Sequence, residues 1–267
     1  AMSNLEGYTV TPEEAKKNEE FIAKRKASGK QVRVQRTSLQ ARITHGTVAI
    51  SCILLAISGL FVFVPPLTQA AGPDVVFVAR MFHRFIGLLF CIVPIVSLIM
   101  APKGALHIWK KNTVKWDHDD KMWLALFLPY LFTCKWLHMP DASETKSGQR
   151  VSDGLIIIVA ILMGVTGLVL TANTVGIINL GVTAHGVWLT LHDIGFFLIA
   201  ILGMAHILLG GGIIGPYRGM HRVMFGDGSL SEGEAIYHWA HWVRKLHNTG
   251  SDVLFEADAK TTKRIEK

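Results

Sequence analysis

Cysteine is scarce in this 267-residue chain, and its three cysteines do not form a motif. Cys52, Cys91 and Cys134 are isolated from one another, and the sequence Cys-x-x-Cys-His does not occur. Because that motif supplies the two thiols that attach a haem covalently, its absence excludes a haem held by thioether links. Cys52 and Cys91 lie in apolar stretches, where we predict that they serve packing.

The sequence also shows no pattern typical of a cleavable leader and no apparent internal duplication. About forty polar residues precede the first apolar stretch, and none of them forms a short apolar run with a small-residue cleavage site, so no signal peptide is expected. No duplication of the kind typical of transporters is apparent in the sequence. Residues 11–26 begin with Thr, Pro and two Glu, which predicts a short solvated helix in a plain cytosolic arm, with a partner-docking arm as the alternative.

What the sequence does contain is a set of long apolar stretches. Half of all residues are hydrophobic, and they are concentrated in four runs at roughly 43–66, 78–101, 151–172 and 184–214. Each run reaches the ~20 residues that a helix needs to cross a hydrocarbon core of ~30 Å. The sequence therefore predicts an all-α integral membrane protein, with a four-transmembrane-helix bundle at 42–215, an N-terminal arm at 1–41 and a C-terminal tail at 216–267.

Positive charge is distributed unevenly between the predicted loops. Nine of the 27 basic residues precede His45, eight lie within 103–150, and eight follow Tyr217. The predicted loop at 67–82 has one basic residue, and the loop at 173–183 has none. Because Lys and Arg near helix ends resist translocation, both termini and the middle loop are predicted to be cytoplasmic, in a bacterial inner membrane. The formal charge of +7 follows from this topology and does not favour nucleic-acid binding.

Four histidines lie in the apolar stretches at matching depths. His192 and His206 are fourteen residues apart, close to four helical turns, so their imidazoles project from one face about 21 Å apart along the axis. The predicted orientation puts His83 near the outer face with His192, and His45 near the cytoplasmic face with His206. An ionisable group at this depth needs a partner, and haem iron accepts one imidazole on each side. The pattern predicts two b-type haems with axial pairs His83/His192 and His45/His206.

Other residues near these histidines have two interpretations. Arg84 and Arg42 are predicted either to neutralise haem propionates or to extend to the membrane interface. His185 is a weaker ligand, because its spacing to His206 would separate the haems by about 31 Å. Seven glycines are predicted either to make room for a flat macrocycle or to permit close helix packing: Gly46, Gly59, Gly87, Gly164, Gly167, Gly195 and Gly203.

The remaining histidines fall in polar segments and are predicted to be solvated on the surface. A zinc site built from two of them, His238 and His241, would need two further ligands that the sequence does not identify. The complete set is His107, His118, His138, His221, His238, His241 and His247.

The middle loop contains a further apolar stretch, residues 121–137. Pro129 interrupts this stretch, Lys135 charges it, and it is too short to cross a membrane. We predict a helix in the cytoplasmic interface, with three aromatic residues at headgroup level: Trp123, Tyr130 and Trp136. Such a helix would cover the cytoplasmic haem and, with residues 145–150, form the wall of a quinone pocket. A lipid-facing anchor without a ligand is the alternative.

These features resemble the γ subunit of respiratory formate dehydrogenase, a four-helix dihaem cytochrome b of the cytochrome b561-like group. The resemblance covers roughly residues 42–247 in the order and length of the elements. It rests on Arg-Ile-Thr-His45, Phe82-His83-Arg84-Phe85-Ile86-Gly87, Gly148-Gln149 and the two histidines fourteen residues apart. In the tail, Gly228-Ser229-Leu230 and Trp239-Ala240-His241-Trp242 are similar to that family's basic segment.

The resemblance implies the same haem pairings, together with a menaquinone or ubiquinone site beside the cytoplasmic haem near His206. The quinone-site residues would be Lys146, Gly148 and Gln149. The family usually has Asn at the position of Lys146, within an Asn-Ala-Gly-Gln run. Lysine there could donate a hydrogen bond to a quinone oxygen or help deliver a proton.

The implied role is electron transfer and quinone reduction, with no catalysis on formate by this chain. Electrons would come from a periplasmic catalytic molybdenum or tungsten subunit through an iron–sulfur subunit, and protons would come from the cytoplasm. His118, Asp119 and Asp120 are candidates for proton entry, although surface solvation is the favoured interpretation. The alternatives are the equivalent subunit of a hydrogenase, a thiosulfate reductase or another molybdenum or tungsten enzyme, and a haem-free membrane anchor. The donor, the quinone type, the direction of electron flow and any higher oligomer stay open.

Overall fold

The computed structural model describes Lys16, Glu20 and residues 31–113, 115–133, 137, 139–140, 142–214, 217–249 and 253–257. Most of the helix predicted at 11–26 lies outside the described residues, as do Cys134, Trp136 and His138. In chain order the described elements are β1 (Gln31–Gln35), α1 (Leu39–Phe63), α2 (Pro65–Met100), α3 (Pro102–Asn112), α4 (His118–Thr133), α5 (Ser147–Thr174), α6 (Val182–Gly210), α7 (Arg222–Phe225), β2 (Ser229–Ser231), α8 (Glu232–Thr249) and β3 (Leu254–Ala257).

Four of these helices, α1, α2, α5 and α6, are long and apolar enough to cross a membrane. Only 6–11% of the most apolar part of each helix is buried inside the chain, so most of their large apolar side chains face outward. Exposing such surface to water costs about 25 cal/mol per Å². Hydrocarbon or further protein is therefore the medium that suits these helices, and the predicted four long helices are confirmed.

Helix α2 begins at Pro65, whereas the sequence predicts a start near Val78. The prediction of a loop at 67–82 is therefore wrong, because this segment is helical. Gly72, with φ +78° and ψ 166°, divides the helix at a kink. Pro73 disfavours helical backbone at the residue before it, and glycine adopts this positive φ without strain. As a result, His83 lies well inside the helix and not at its start.

The described residues belong to two compact units. The bundle unit comprises residues 43–107 and 152–208, and it contains the four paired histidines of the sequence analysis. The sheet unit comprises the described parts of 1–42, 108–151 and 209–267. The three candidate quinone residues, Lys146, Gly148 and Gln149, belong to the sheet unit.

A three-stranded antiparallel sheet with the order β2-β1-β3 organises the sheet unit. In the central strand, Val34 lies opposite Leu230 on one side and Leu254 on the other. These three buried side chains pack in one core with Val243 and Trp239 of α8. The sequence analysis does not predict this sheet, which joins the end of the N-terminal arm to the tail.

Polar contacts hold the ends of strand β2. Arg33 Nη2 donates hydrogen bonds to Ser229 Oγ at 2.6 Å and to Asp227 Oδ2 at 3.3 Å. At the other end, Ser231 Oγ accepts a bond from the Glu234 backbone N–H, and Glu234 Oε2 accepts one from the Ser231 N–H. This reciprocal arrangement is a capping box, which satisfies two N–H groups at the start of α8.

Two tail histidines that were predicted to be solvated are buried. His238 and His247 lie on the face of α8 that packs into the sheet unit, and His247 Nε2 lies 2.6 Å from Glu232 Oε1. The prediction is wrong for these two because α8 is amphipathic and covers the sheet. It is confirmed for three others, which are exposed: His107, His118 and His221.

The helix predicted in the middle loop is present as α4, but two of its aromatic residues are not at the surface. Trp123 and Tyr130 are both buried. The Tyr130 hydroxyl forms a hydrogen bond of 2.6 Å with the Tyr237 hydroxyl, and the Trp123 ring lies over Gly148. Headgroup anchoring by these two residues is therefore wrong. Phe132 is exposed instead, and the interfacial position of the helix stays a prediction.

The sheet core supports a stability test at Leu230. We expect Leu230→Ala to lower the free energy of unfolding of the sheet unit by about 2–5 kcal/mol, because it leaves a cavity beside Val34 and Val243. Urea unfolding in detergent, followed by tryptophan fluorescence, measures the change. Ile236→Ala on the exposed side of α8 is the control and should change stability little. Equal losses in the two variants would contradict this core.

Candidate functional site

The four paired histidines of the bundle unit come together in two separate pairs. The ring centroids of His83 and His192 are 6.3 Å apart, and those of His45 and His206 are 6.0 Å apart. A metal bonded to one nitrogen of each ring at about 2.0–2.1 Å holds two imidazole centroids about 6 Å apart. Both measured separations match that value. The histidines therefore fit one iron between the rings of each pair.

The hydroxyl contacts of His83 and His192 also suit a metal. Ser58 Oγ lies 3.0 Å from His83 Nδ1, and Thr166 Oγ1 lies 2.8 Å from His192 Nδ1. Each hydroxyl contacts its histidine through Nδ1, so Nε2 of both rings is left for another partner. Nε2 with a lone pair is a common metal ligand of histidine.

Two glycines lie directly against these imidazoles. A Cβ on Gly59 would be 3.4 Å from His83 Cε1, and a Cβ on Gly167 would be 3.3 Å from His192 Cε1. These two glycines therefore allow the imidazoles to approach the neighbouring helices closely, and room for a macrocycle beside them stays a prediction. Two others contact side chains of neighbouring helices and fit the packing interpretation: Gly164 and Gly195.

The weaker sequence candidates have other contacts. His185 Nδ1 lies 3.3 Å from Asn173 Nδ2 at the end of α5. The Arg84 guanidinium is exposed and lies 3.5 Å from Met81 Sδ. Arg42 belongs to the sheet unit, where its Nη1 donates a hydrogen bond to the carbonyl oxygen of Gly226. Propionate binding by the two arginines stays a prediction.

Lys146, a predicted quinone-site residue, is buried within an aromatic cluster. Its Nζ lies 2.6 Å from His238 Nδ1 and 4.7 Å from the centroid of the Tyr217 ring. Burial, and then the charge of Arg36, lower the pKa of Lys146 to about 7. Burial, and then the charge of Lys146, lower the pKa of His238 to about 3. At neutral pH His238 is therefore an uncharged acceptor, and Lys146 is able to gain or lose a proton.

A small polar cavity extends beside this lysine. It has a volume of about 30 Å³, and its lining includes Lys146, Ser147, Asp119 and Asp120. This volume is enough for one water molecule. Asp120 is also tied to α5, because it accepts hydrogen bonds from Ser147 Oγ at 2.6 Å and from Arg150 Nη1 at 2.9 Å. The prediction of surface solvation is therefore wrong for Asp120.

The other two quinone candidates lie in the first turn of α5. Gly148 is covered by the Trp123 indole, and a Cβ at this position would clash with Cη2 of the ring at 2.9 Å. Gln149 is half-buried. The close approach of Trp123 explains why a glycine is needed here. Room for a ligand at Gly148 itself requires this indole to move.

The sequence analysis misses four residues of these sites. Ser58 and Thr166 each precede a glycine in an apolar helix, and this repeated hydroxyl–glycine step is the signal that could have identified them. Tyr217 and His238 have no comparable signal, because His238 is 92 residues from its partner Lys146 in the sequence.

Comparison with known proteins agrees with this geometry. Residues 36–226 match the model of a family described as prokaryotic cytochrome b561. A comparison with curated proteins finds no match. The matched stretch covers more than half of the chain and includes both histidine pairs. The chain therefore belongs to the prokaryotic cytochrome b561 family, and it is a multi-pass membrane cytochrome of the b type that works in electron transfer.

Proposed function

We propose that this chain is the membrane cytochrome b subunit of a respiratory formate dehydrogenase. It would accept electrons from an iron–sulfur subunit, which in turn serves a catalytic molybdenum or tungsten subunit, and pass them to the quinone pool. The observation that carries the proposal is the presence of two histidine pairs in one bundle, with ring centroids 6.3 and 6.0 Å apart. Membership of the cytochrome b561 family supports the role of a membrane b-type cytochrome in electron transfer.

In this proposal His83 and His192 hold one haem b, and His45 and His206 hold the other. Bound haem supplies reversible one-electron transfer at its iron. If both histidines of a pair hold the iron, no coordination position would be left for oxygen, which would suit electron transfer and not oxygen chemistry. The hydroxyls of Ser58 and Thr166 hold the rings of one pair with Nε2 free to bind.

The spacing of the two pairs supports transfer across the membrane. His192 and His206 are fourteen residues apart on α6, which corresponds to about 21 Å along the helix axis. This distance is most of a hydrocarbon core of ~30 Å. With both termini in the cytoplasm of a bacterial cell, as the distribution of Lys and Arg favours, the His83/His192 pair lies on the outer side. The electrons would then move inward, and the protons for quinone reduction would come from the cytoplasm.

The haem content and its dependence on each histidine test the core of the proposal. We expect two protohaems per chain. His83→Ala and His192→Ala should remove the same low-spin signal in electron paramagnetic resonance spectra, because each breaks the same pair. His45→Ala and His206→Ala should remove the other signal. His185→Ala is the control and should keep both signals.

Fewer than two haems in the wild-type chain would contradict the dihaem assignment. Loss of the same signal in His83→Ala and His45→Ala would contradict the pairing.

The donor enzyme is tested separately from the haems. We expect formate dehydrogenase catalytic and iron–sulfur subunits to co-purify with the chain in mild detergent, and formate to reduce both haems in that preparation. Subunits of a hydrogenase or a thiosulfate reductase, with haem reduction by hydrogen or by another donor, would replace the formate assignment. Those outcomes would leave the cytochrome itself unchanged.

We further propose that Lys146 delivers a proton to menaquinone or ubiquinone during reduction. Its pKa of about 7 places proton exchange near neutral pH, and the neutral His238 accepts a hydrogen bond from it. The polar cavity lined by Asp119, Asp120 and Ser147 gives a route by which a water molecule resupplies the proton. Aromatic rings around the ammonium group, Tyr217 at 4.7 Å and Trp239 at 5.5 Å, stabilise its charged form.

The rate of haem reoxidation by a short-chain quinone tests this role. Lys146 is protonated below about pH 7 and neutral above it, so the wild-type rate should fall as the pH rises through about 7. Lys146→Met should lower the rate about 100-fold, at the lower end of general acid–base contributions, and remove this pH dependence. Lys121→Met, at an exposed lysine of α4, is the control. Unchanged reoxidation by Lys146→Met, with both haems present, would refute the assignment.

A further inference from the structure

We propose that Ser58 and Thr166 are positioning residues that fix the tautomer of His83 and His192 and lower the reduction potential of the haem between them. The inference rests on the proposed ligation of haem by this pair. It assigns a function to two hydroxyl groups. They belong to α1 and α5, whereas His83 and His192 belong to α2 and α6.

The other hydrogen bonds of Ser58 indicate which atom is the donor and which is the acceptor in its contact with His83. Ser58 Oγ donates its only proton to the carbonyl oxygen of Leu54 at 2.8 Å, with Leu55 O at 3.2 Å. Toward His83 Nδ1, at 3.0 Å, the hydroxyl is therefore able only to accept. We therefore assign the hydrogen of His83 to Nδ1, which leaves Nε2 with the lone pair that a metal requires.

Thr166 repeats this arrangement on the other side of the pair. Its Oγ1 donates to the carbonyl oxygen of Leu162 at 2.7 Å, with Met163 O at 3.2 Å, and lies 2.8 Å from His192 Nδ1. Thr166 is fully buried, at 0% exposure, so water does not compete for its oxygen. His192 therefore has the same tautomer as His83, with its Nε2 available.

The glycine after each hydroxyl completes the match between the two sides. Gly59 follows Ser58 on α1, and Gly167 follows Thr166 on α5. The same ring whose Nδ1 meets the hydroxyl lies next to the glycine through Cε1, at 3.4 Å on one side and 3.3 Å on the other from the position of a Cβ. A Cβ at Gly167 would be tighter against the ring than most Cβ contacts, and a Cβ at Gly59 would touch the ring at ordinary contact distance. Each hydroxyl–glycine pair therefore sets the hydrogen bond to one imidazole and the position of that ring.

An acceptor on Nδ1–H changes the metal ligand electronically. Drawing the Nδ1 proton toward an oxygen makes Nε2 a stronger electron donor, which stabilises the oxidised iron more than the reduced iron. Second-shell hydrogen bonds of this kind are one of the means by which a protein sets a haem potential. With one such bond on each axial ligand, the two effects act in the same direction on the same iron.

The test is redox titration of Ser58→Ala and Thr166→Val in the full chain. Thr166→Val keeps the shape of the side chain and removes the acceptor. We expect each variant to keep two haems and to favour reduction of the His83/His192 haem about tenfold, equivalent to a rise of ~59 mV for one electron. That haem is identified by the signal that His192→Ala removes. The potential of the other haem should stay constant and serves as an internal reference.

Matched variants separate the hydrogen bond from general disturbance of the helices. Ser58→Thr and Thr166→Ser keep the hydroxyl and should keep the wild-type potentials. Ser51→Ala replaces the other buried serine of α1, which has no hydrogen bond to a histidine among the described residues, and should leave both potentials unchanged.

Two results would overturn the inference. One is unchanged potentials in Ser58→Ala and Thr166→Val with both haems bound. The other is an equal shift in the hydroxyl-keeping variants. Neither result affects the proposed function, which is tested separately by the haem content, by the histidine variants and by the identity of the co-purified subunits.

Discussion

An imidazole among apolar helices needs a partner for both of its nitrogens, because a polar atom without one costs several kcal/mol in hydrocarbon. The arrangement of the bundle unit depends on this constraint. For His83 and His192, Nδ1 lies within hydrogen-bond distance of a hydroxyl, and the two ring centroids are 6.3 Å apart. In the proposed function, an iron between the rings would satisfy the remaining nitrogen of each. The helices that carry the hydroxyls are thereby held at a set distance from the helices that carry the histidines.

The same principle operates in the sheet unit with a different outcome. Lys146 carries a buried amine, and its charged form is stabilised by His238 and by two aromatic rings. None of the contacts described above is a carboxylate. A carboxylate would hold the lysine permanently charged. Burial, and then the charge of Arg36, lower the pKa of Lys146 to about 7, and the neutral imidazole and the aromatic rings add no carboxylate charge that would raise it again. A pKa near 7 is the property that proton exchange at neutral pH requires. One unit thus suits electron transfer, and the other suits proton transfer.

The parts of this fold that were predictable have local causes. Four spans follow from apolar runs of about 20 residues, and the matching of His83 with His192 and of His45 with His206 follows from helical spacing and charge bias. The start of α2 was not predictable in this way, because Gly72 and Pro73 interrupt the apolar pattern and suggest a loop. The sheet was also missed, because its strands have three to five residues and pair segments that lie about 200 positions apart in the sequence.

The sequence by itself determined the number of long helices, the face of α6 that carries two histidines, and the cytochrome family. These properties depend on hydropathy and on the 3.6-residue helical period, and both can be read from residues that are close together in the sequence. Only the tertiary structure decided that Ser58 and Thr166 lie within hydrogen-bond distance of His83 and His192 and that Lys146 meets His238. A hydroxyl or an amine acquires such a role from the group that faces it. That group belongs to another element, so packing between elements decides the role.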